Sequence, residues 1–230
     1  MTTLQPLITA RGLHKTFRGA AGIEVLRGID ITIKPMDRIA IVGKSGAGKS
    51  TLLHLLGTLE RPTRGELYFG GEDVLKFPEK KLALYRNRHI GFVFQFHYLM
   101  LEFTALENVM IPMLIGGEKR SVAQGRAQEL LEAVGLGGRL THKPNQLSGG
   151  EQQRVAIARA IAQKPKVLLT DEMTGNLDGE TGQKILELVD ALQKENSMAV
   201  ISVTHDEELA RRSKMQFTLE NGTLVAKTPF

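Results

Sequence analysis

The feature that most constrains this chain is a β-branched run, Arg38-Ile39-Ala40-Ile41-Val42, that leads into Gly43-Lys44-Ser45-Gly46-Ala47-Gly48-Lys49-Ser50. A continuous apolar run of that length fits a strand buried on both faces, as in a parallel sheet. The stretch after it has the spacing G-x-x-x-x-G-K-[ST] of a phosphate-binding loop. Glycine lets the backbone turn and come close to a polyphosphate. Successive N–H groups then point inward, and the helix that follows adds its positive N-terminal end. Lys49 supplies a point charge for β- and γ-phosphates, and Ser50 offers a hydroxyl to Mg²⁺. Lys49 to Leu59 reads as that helix, ended near Arg61-Pro62.

Around this unit the pattern is mixed. Ile8 to Phe17 and Glu24 to Lys34 alternate like strands, broken by Arg18-Gly19-Ala20-Ala21-Gly22. Glu66 to Phe69 is a further strand before a Gly70-Gly71 turn. Residues 78–163 read as mainly helical, with one strand at Ile90 to Gln95. Thr104 with Glu107, and Ser121 with Gln124, have capping-box spacing. Glu151 to Gln163 reads as a helix stopped by Pro165. The βα alternation then resumes: Val167 to Leu169 strand, Thr181 to Lys194 helix, Ala199 to Val203 strand, Asp206 to Arg212 helix. Phe217 to Ala226 reads as a hairpin around Asn221-Gly222, a favoured type I′ pair. The organisation is one domain over 1–230. Its core is formed by 1–77 and 164–230, and a helical insertion spans 78–163.

Composition narrows the function classes. The 230 residues include no cysteine, which excludes disulfides, thiolate metal sites and cysteine nucleophiles. No apolar run approaches the ~18 residues of a membrane span. The first residues, MTTLQPLITARG, lack the basic start and apolar stretch of a secretory signal. A net charge of +5, from 30 basic and 25 acidic residues, is an ordinary mixed surface, and the basic residues are too dispersed to suggest nucleic acid binding.

Two further motifs carry chemistry. Val167-Leu168-Leu169-Thr170-Asp171-Glu172 places carboxylates at the C-terminal tip of a strand, the edge where ligands bind in open α/β sheets. There Asp171 can hold Mg²⁺ through its water shell, and Glu172 can orient or deprotonate an attacking water. Leu147-Ser148-Gly149-Gly150-Glu151 opens a helix with an anion-binding N-terminus, and it is also an ordinary N-cap with Ser148 and Glu151 as a capping box. Two glycines at a helix start disfavour the helix, and a close backbone approach to a ligand would explain them.

The order of phosphate loop, Gln95, LSGGEQQRVAIARA, LLTDE and His205 resembles the nucleotide-binding subunit of an ABC transporter across nearly all of the chain. The resemblance implies an α/β fold. It has a P-loop NTPase core with a mainly parallel sheet, an N-terminal antiparallel β subdomain and an inserted helical subdomain. It also implies ATP and Mg²⁺ as ligands, with ATP hydrolysis as the activity. Two subunits would sandwich two ATP molecules, each between the phosphate loop of one and the signature Leu147 to Glu151 of the other. Gly43 to Ser50 and Thr51 would then bind ATP, Phe17 would stack on adenine, and Glu172, His205 and Gln95 would be catalytic. Ser50, Gln95 and Asp171 (through water) would serve Mg²⁺, while Asn176, Leu177 and Asp178 would form the loop crossing the dimer interface. One departure is Met173, where the family pattern has proline. Proline fixes φ and methionine does not, so a looser loop is expected after Glu172.

The segment Phe92 to Met110, with Gln95-Phe96-His97 and Phe103-Thr-Ala-Leu-Glu-Asn-Val109, resembles the lipoprotein-releasing (Lol) ATPase branch. Leu101 and Glu102 depart from the Pro-Asp common there. The branch implies a homodimer formed on ATP binding, two permease subunits of the LolC and LolE kind, and a lipoprotein held by those partners. The location implied is peripheral, on the cytoplasmic face of the inner membrane. A macrolide-type exporter or a cell-division complex remains open. So does a soluble non-transport ABC ATPase, although such proteins usually carry two cassettes or a long coiled coil. Phe96, Leu99 and Phe103 either pack into the insertion's own core or line a groove for a helix of a membrane subunit. The basic cluster Lys80, Lys81, Arg86, Arg88 and His89 reads as a solvated face.

Overall fold

The glycine-rich loop lies between a strand and a helix, as its sequence requires. The computed structural model describes residues 5–17 and 22–227, so all of the expected break at 18–22 except Gly22 lies outside the described residues. In chain order the elements are β1 (Ile8–Phe17), β2 (Ile23–Ile33), β3 (Arg38–Val42), α1 (Lys49–Leu56), β4 (Arg64–Phe69) and β5 (Glu72–Asp73). Then come α2 (Glu79–His89), β6 (Ile90–Val93), α3 (Ala105–Ile115), α4 (Arg120–Ala133), α5 (Gly149–Ile161) and β7 (Val167–Asp171). Last are α6 (Gly179–Asn196), β8 (Ala199–Val203), α7 (Glu207–Arg211), β9 (Met215–Glu220) and β10 (Thr223–Lys227). The chain divides into two compact units, one of Met1–Ala83 with Ser197–Phe230 and one of Leu84–Asn196.

The first unit holds two sheets. One is antiparallel, with strand order β2-β1-β4-β5. In the other, β3 runs parallel to β8 on one side and to β9 on the other, and β10 closes the edge as a hairpin with β9. Ile39, Ala40 and Ile41 are fully buried, as is every apolar residue of β8, which is what a strand covered on both faces demands. Leu52, Leu53, Leu55 and Leu56 of α1 are likewise buried. The helix stops at Gly57, short of the expected Leu59, because Thr58 turns left-handed with φ 57°. Asn221 and Gly222 both have positive φ, 48° and 80°, as a type I′ hairpin requires. The Arg27 N–H donates to the Gly222 carbonyl at 2.8 Å, tying this turn to β2.

The second unit pairs β6 and β7 in parallel, Val93 opposite Thr170, and carries α3, α4, α5 and α6. The Thr104 capping box forms: its hydroxyl accepts from the Glu107 N–H at 3.2 Å, and the Glu107 carboxylate accepts from the Thr104 N–H at 2.9 Å. The expected Ser121 capping box does not form. α4 begins at Arg120, Lys119 is its N-cap without a side-chain bond, and Ser121 lies within the first turn. The helix starts two residues before the position a Ser121 cap would give it, and Ala123, Ala127, Leu130 and Leu131 are its buried residues.

Candidate functional site

The phosphate loop leaves β3 at Val42 and enters α1 at Lys49. Its glycines have specific reasons. A Cβ on Gly43 would lie 2.6 Å from the Leu219 carbonyl oxygen of β9. Gly48 combines φ 98° with a Cβ position 2.7 Å from Val25 Cγ1. The Lys49 ammonium, on a side chain only 8% exposed as a residue, donates to the carbonyls of Gly43 at 2.9 Å and Lys44 at 3.2 Å. The cation is thereby centred under the loop rather than extended into solvent. Ser50 is exposed and Thr51 half-buried beside it on the first turn of α1.

Because β3 and β8 are parallel with Ile41 opposite Val203, the phosphate loop and His205 leave the same C-terminal edge of adjacent strands. His205 is exposed there, and Asp206 behind it caps α7 by accepting from the Glu208 N–H at 2.8 Å. A cleft of 470 Å³ opens beside the loop, lined by Lys44 to Ala47, Ile23 to Val25 and the Asn221-Gly222 turn. Phe17 is 40% exposed, with the Lys15 ammonium 4.9 Å from its ring centroid. That exposure fits a stacking surface better than a core position.

The second unit repeats the edge logic. β6 ends at Val93, two residues earlier than the expected strand, and Gln95 follows it. Asp171 ends the neighbouring β7. Asn176 donates through its side-chain amide to the Gln95 carbonyl at 3.0 Å, so the loop after Glu172 is tied to the residue after β6. Glu172 adopts a left-handed φ of 45°, a costly conformation for a residue with a side chain and one that collects at functional sites. The loop that follows is not loose. Met173 is 2% exposed, and its carbonyl accepts from the Gln153 amide at 2.8 Å. The Gly175 N–H donates to the Glu172 carbonyl at 2.9 Å. Side-chain burial and these bonds do what a proline ring would otherwise do.

The signature helix α5 starts with a complete capping box. The Ser148 hydroxyl accepts from the Glu151 N–H at 3.3 Å, and the Glu151 carboxylate accepts from the Ser148 N–H at 2.8 Å and from Arg139 at 2.9 Å. Those donors hold the Glu151 carboxyl below its ordinary 4.5. Asp178 is held low for the same reason, by the Thr181 N–H at 2.9 Å at the start of α6. The two glycines separate in role. A Cβ on Gly150 would lie 2.6 Å from Thr181 Cγ2, so packing within the chain accounts for that glycine. A Cβ on Gly149 would meet nothing closer than 3.9 Å, so nothing among the described residues accounts for it. A cleft of 490 Å³ opens in front of both, lined by Ser148 to Glu151, Arg154, Asn176 to Asp178 and Thr181. Ser148 to Glu151 and the loop 176–178 therefore face one space. Leu147 of the signature is the exception, buried at 7% exposure.

Sequence reasoning missed the residues that hold these loops. The Arg159 guanidinium donates to the carbonyls of His97 and Tyr98, both at 2.7 Å. Gln152 bonds the Leu147 and Pro144 carbonyls at 3.1 and 3.0 Å. Burial pushes His97 below its ordinary 6.5, against a hydrogen bond with Gln152 that raises it. Asn108 is fully buried and clips the loop before α3, accepting from the Met100 N–H and donating to the Met100, Phe103 and Thr104 carbonyls. Of the segment's apolar side chains, Leu99 is buried, whereas Phe96 at 63%, Tyr98, Met100, Leu101 and Phe103 are exposed.

A model of the ABC transporter family matches residues 26–175. The lipoprotein-releasing system ATP-binding protein LolD of Syntrophus aciditrophicus is 54% identical over 220 residues, which span 95% of this chain and 99% of that protein. Its counterpart in Legionella pneumophila (strain Paris) is 49% identical over 222 residues, 96% and 98% of the two chains. Among solved structures, a dimeric post-hydrolysis state of the ATP-binding cassette MJ0796, bound to ADP and Pi, superposes with a TM-score of 0.90. It is 37% identical and covers 97% of this chain and 99% of its own. A family match over more than half the chain, joined to relatives at half identity along almost its whole length, leaves one conclusion: this chain belongs to the ABC transporter family, as an ATP-binding cassette.

Proposed function

We propose that this chain is the ATP-hydrolysing subunit of a lipoprotein-releasing ABC complex, working as a homodimer closed by ATP and seated on two permease subunits. One observation carries the dimer. The cleft at the signature presents a helix N-terminus and a glycine, Gly149, that nothing among the described residues requires, and no phosphate loop lines it. A nucleotide held on the phosphate loop of a second copy supplies the missing neighbour. The dimeric MJ0796 cassette bound to ADP and Pi supports the same reading.

In this reading Phe17 stacks on adenine, the backbone of Gly43 to Gly48 wraps the phosphates, and Lys49 offsets their charge. Glu172 orients and deprotonates the water that attacks the γ-phosphorus as the bond to ADP breaks, while Gln95 positions that water and His205 contacts the γ-phosphate. The donor set suits Mg²⁺. Among the described residues no cluster of three or more His, Asp or Glu makes a full cage, and Mg²⁺ takes only one or two protein groups beside water and phosphate. Ser50, Gln95 and, through water, Asp171 are the groups that would hold it. When bound it offsets charge on the phosphate oxygens.

The exposed side chains of Phe96, Tyr98, Met100, Leu101 and Phe103 form the docking surface for an apolar helix of a permease subunit. No helix among the described residues is long and apolar enough to cross a membrane, so attachment to the cytoplasmic face is assigned to those partners. The lipoprotein assignment rests on the similarity to the LolD proteins.

The test is to purify Glu172→Gln from detergent-solubilised native membranes with Mg-ATP, where the variant retains ATP because it cannot activate water. The reading expects two different permease subunits and a lipoprotein to come with it. A single self-pairing membrane subunit would move the assignment to an exporter or a division complex. Recovery only from the soluble fraction would overturn the membrane assignment.

A further inference from the structure

Gln153 is the one polar side chain on the buried stripe of α5, among Val155, Ala156, Ile157, Ala158 and Ile161, and it is 1% exposed. Its amide nitrogen donates to the Met173 carbonyl at 2.8 Å, while its Oε1 finds no partner among the described residues. A buried amide using part of its bonding capacity is costly, and an apolar residue of the same shape would serve packing better. What the amide does is local. Met173 follows Glu172, whose left-handed φ of 45° is held from the far side by the Gly175 N–H on the Glu172 carbonyl. The peptide on either side of Met173 is thus fixed at one end by Gln153 and at the other by Gly175.

We propose that Gln153 is a positioning residue for Glu172, holding its carboxylate in the one backbone conformation that aims it at the attacking water. Because Gln153 stands three residues after Gly150 on the signature helix, it also joins the signature of each subunit to that subunit's own water-activating carboxylate. This deepens the ATPase reading and rests on it.

The experiment uses Gln153→Met, which keeps the volume and removes the donor. Steady-state ATPase kinetics on the full chain should show KM for ATP unchanged and kcat lowered at least about tenfold, since small misplacements of a reacting group cost that much or more. Thermal unfolding should stay cooperative with a midpoint near the parent's, since the change removes the unpaired Oε1 but also leaves the Met173 carbonyl without its donor. The same substitution in a Glu172→Gln background should leave the residual single-turnover rate unchanged, because the effect runs through Glu172. An unchanged kcat in Gln153→Met, or an equal further loss in the Glu172→Gln background, overturns the proposal. A parent chain without ATPase activity would instead remove the reading on which it rests.

Discussion

At the scale of single residues, the two glycines of the signature carry opposite predictions. Gly150→Ala puts a methyl group 2.6 Å from Thr181 Cγ2. Overpacking of that kind costs about 1–3 kcal/mol, more than the gain of up to ~1 kcal/mol for alanine over glycine in a helix. The variant should melt lower, and Thr181→Ala should restore it. Gly149→Ala meets nothing within 3.9 Å, so it should melt at the parent temperature or slightly above. Its ATPase activity should nonetheless fall, because in the proposed dimer the methyl group would stand where the second copy's nucleotide approaches. Melting curves and ATP turnover on the two variants separate these outcomes, and a lowered melting point for Gly149→Ala would contradict the account of that glycine.

At the scale of elements, the helix starts are acid-labile in a predictable direction. Glu151 and Glu107 are held below 4.5 by the capping N–H groups of Ser148 and Thr104 and, for Glu151, by Arg139. Each depressed carboxyl stabilises the fold fully above pH 4.5 and loses that contribution as pH falls through its lower folded value. Glu107→Gln and Glu151→Gln should therefore be less stable than the parent at neutral pH, with the difference shrinking below pH 4.5. Denaturant midpoints across that range measure it. The same elements mark how much was legible. β3, α1, β8 and the Asn221-Gly222 hairpin were readable because burial on both faces and positive φ leave a plain residue signature. The start of α4 was not, since Lys119 caps it without a side-chain bond and Ser121 offered a false cap. Gln153 left one signal, a polar residue in phase with Ile157 and Ile161 on an apolar stripe, but its partner, a backbone carbonyl, has no residue code. Met173 read as a loss of rigidity because burial depends on neighbours distant in sequence.

At the scale of the whole molecule, the exposed apolar segment after Gln95 is the feature a free-standing enzyme has least use for. Its backbone is fixed by Arg159 and Asn108, so its side chains can be changed without disturbing the fold. Phe96→Ser with Leu101→Ser should leave ATP turnover of the purified chain within about twofold of the parent. It should abolish co-purification with membranes. Loss of both activities together would mean the segment serves the cassette itself. The asymmetry of the signature glycines reaches further still, into inheritance. In the proposed dimer, a subunit carrying Gly149→Ala would fold, keep its own phosphate loop intact and compete fully for pairing, yet it would spoil the nucleotide site of whichever copy it met. In a cell making both forms, the defect would thus behave as dominant, whereas a change at Gly150 that removes the protein by unfolding would be masked by the normal copy.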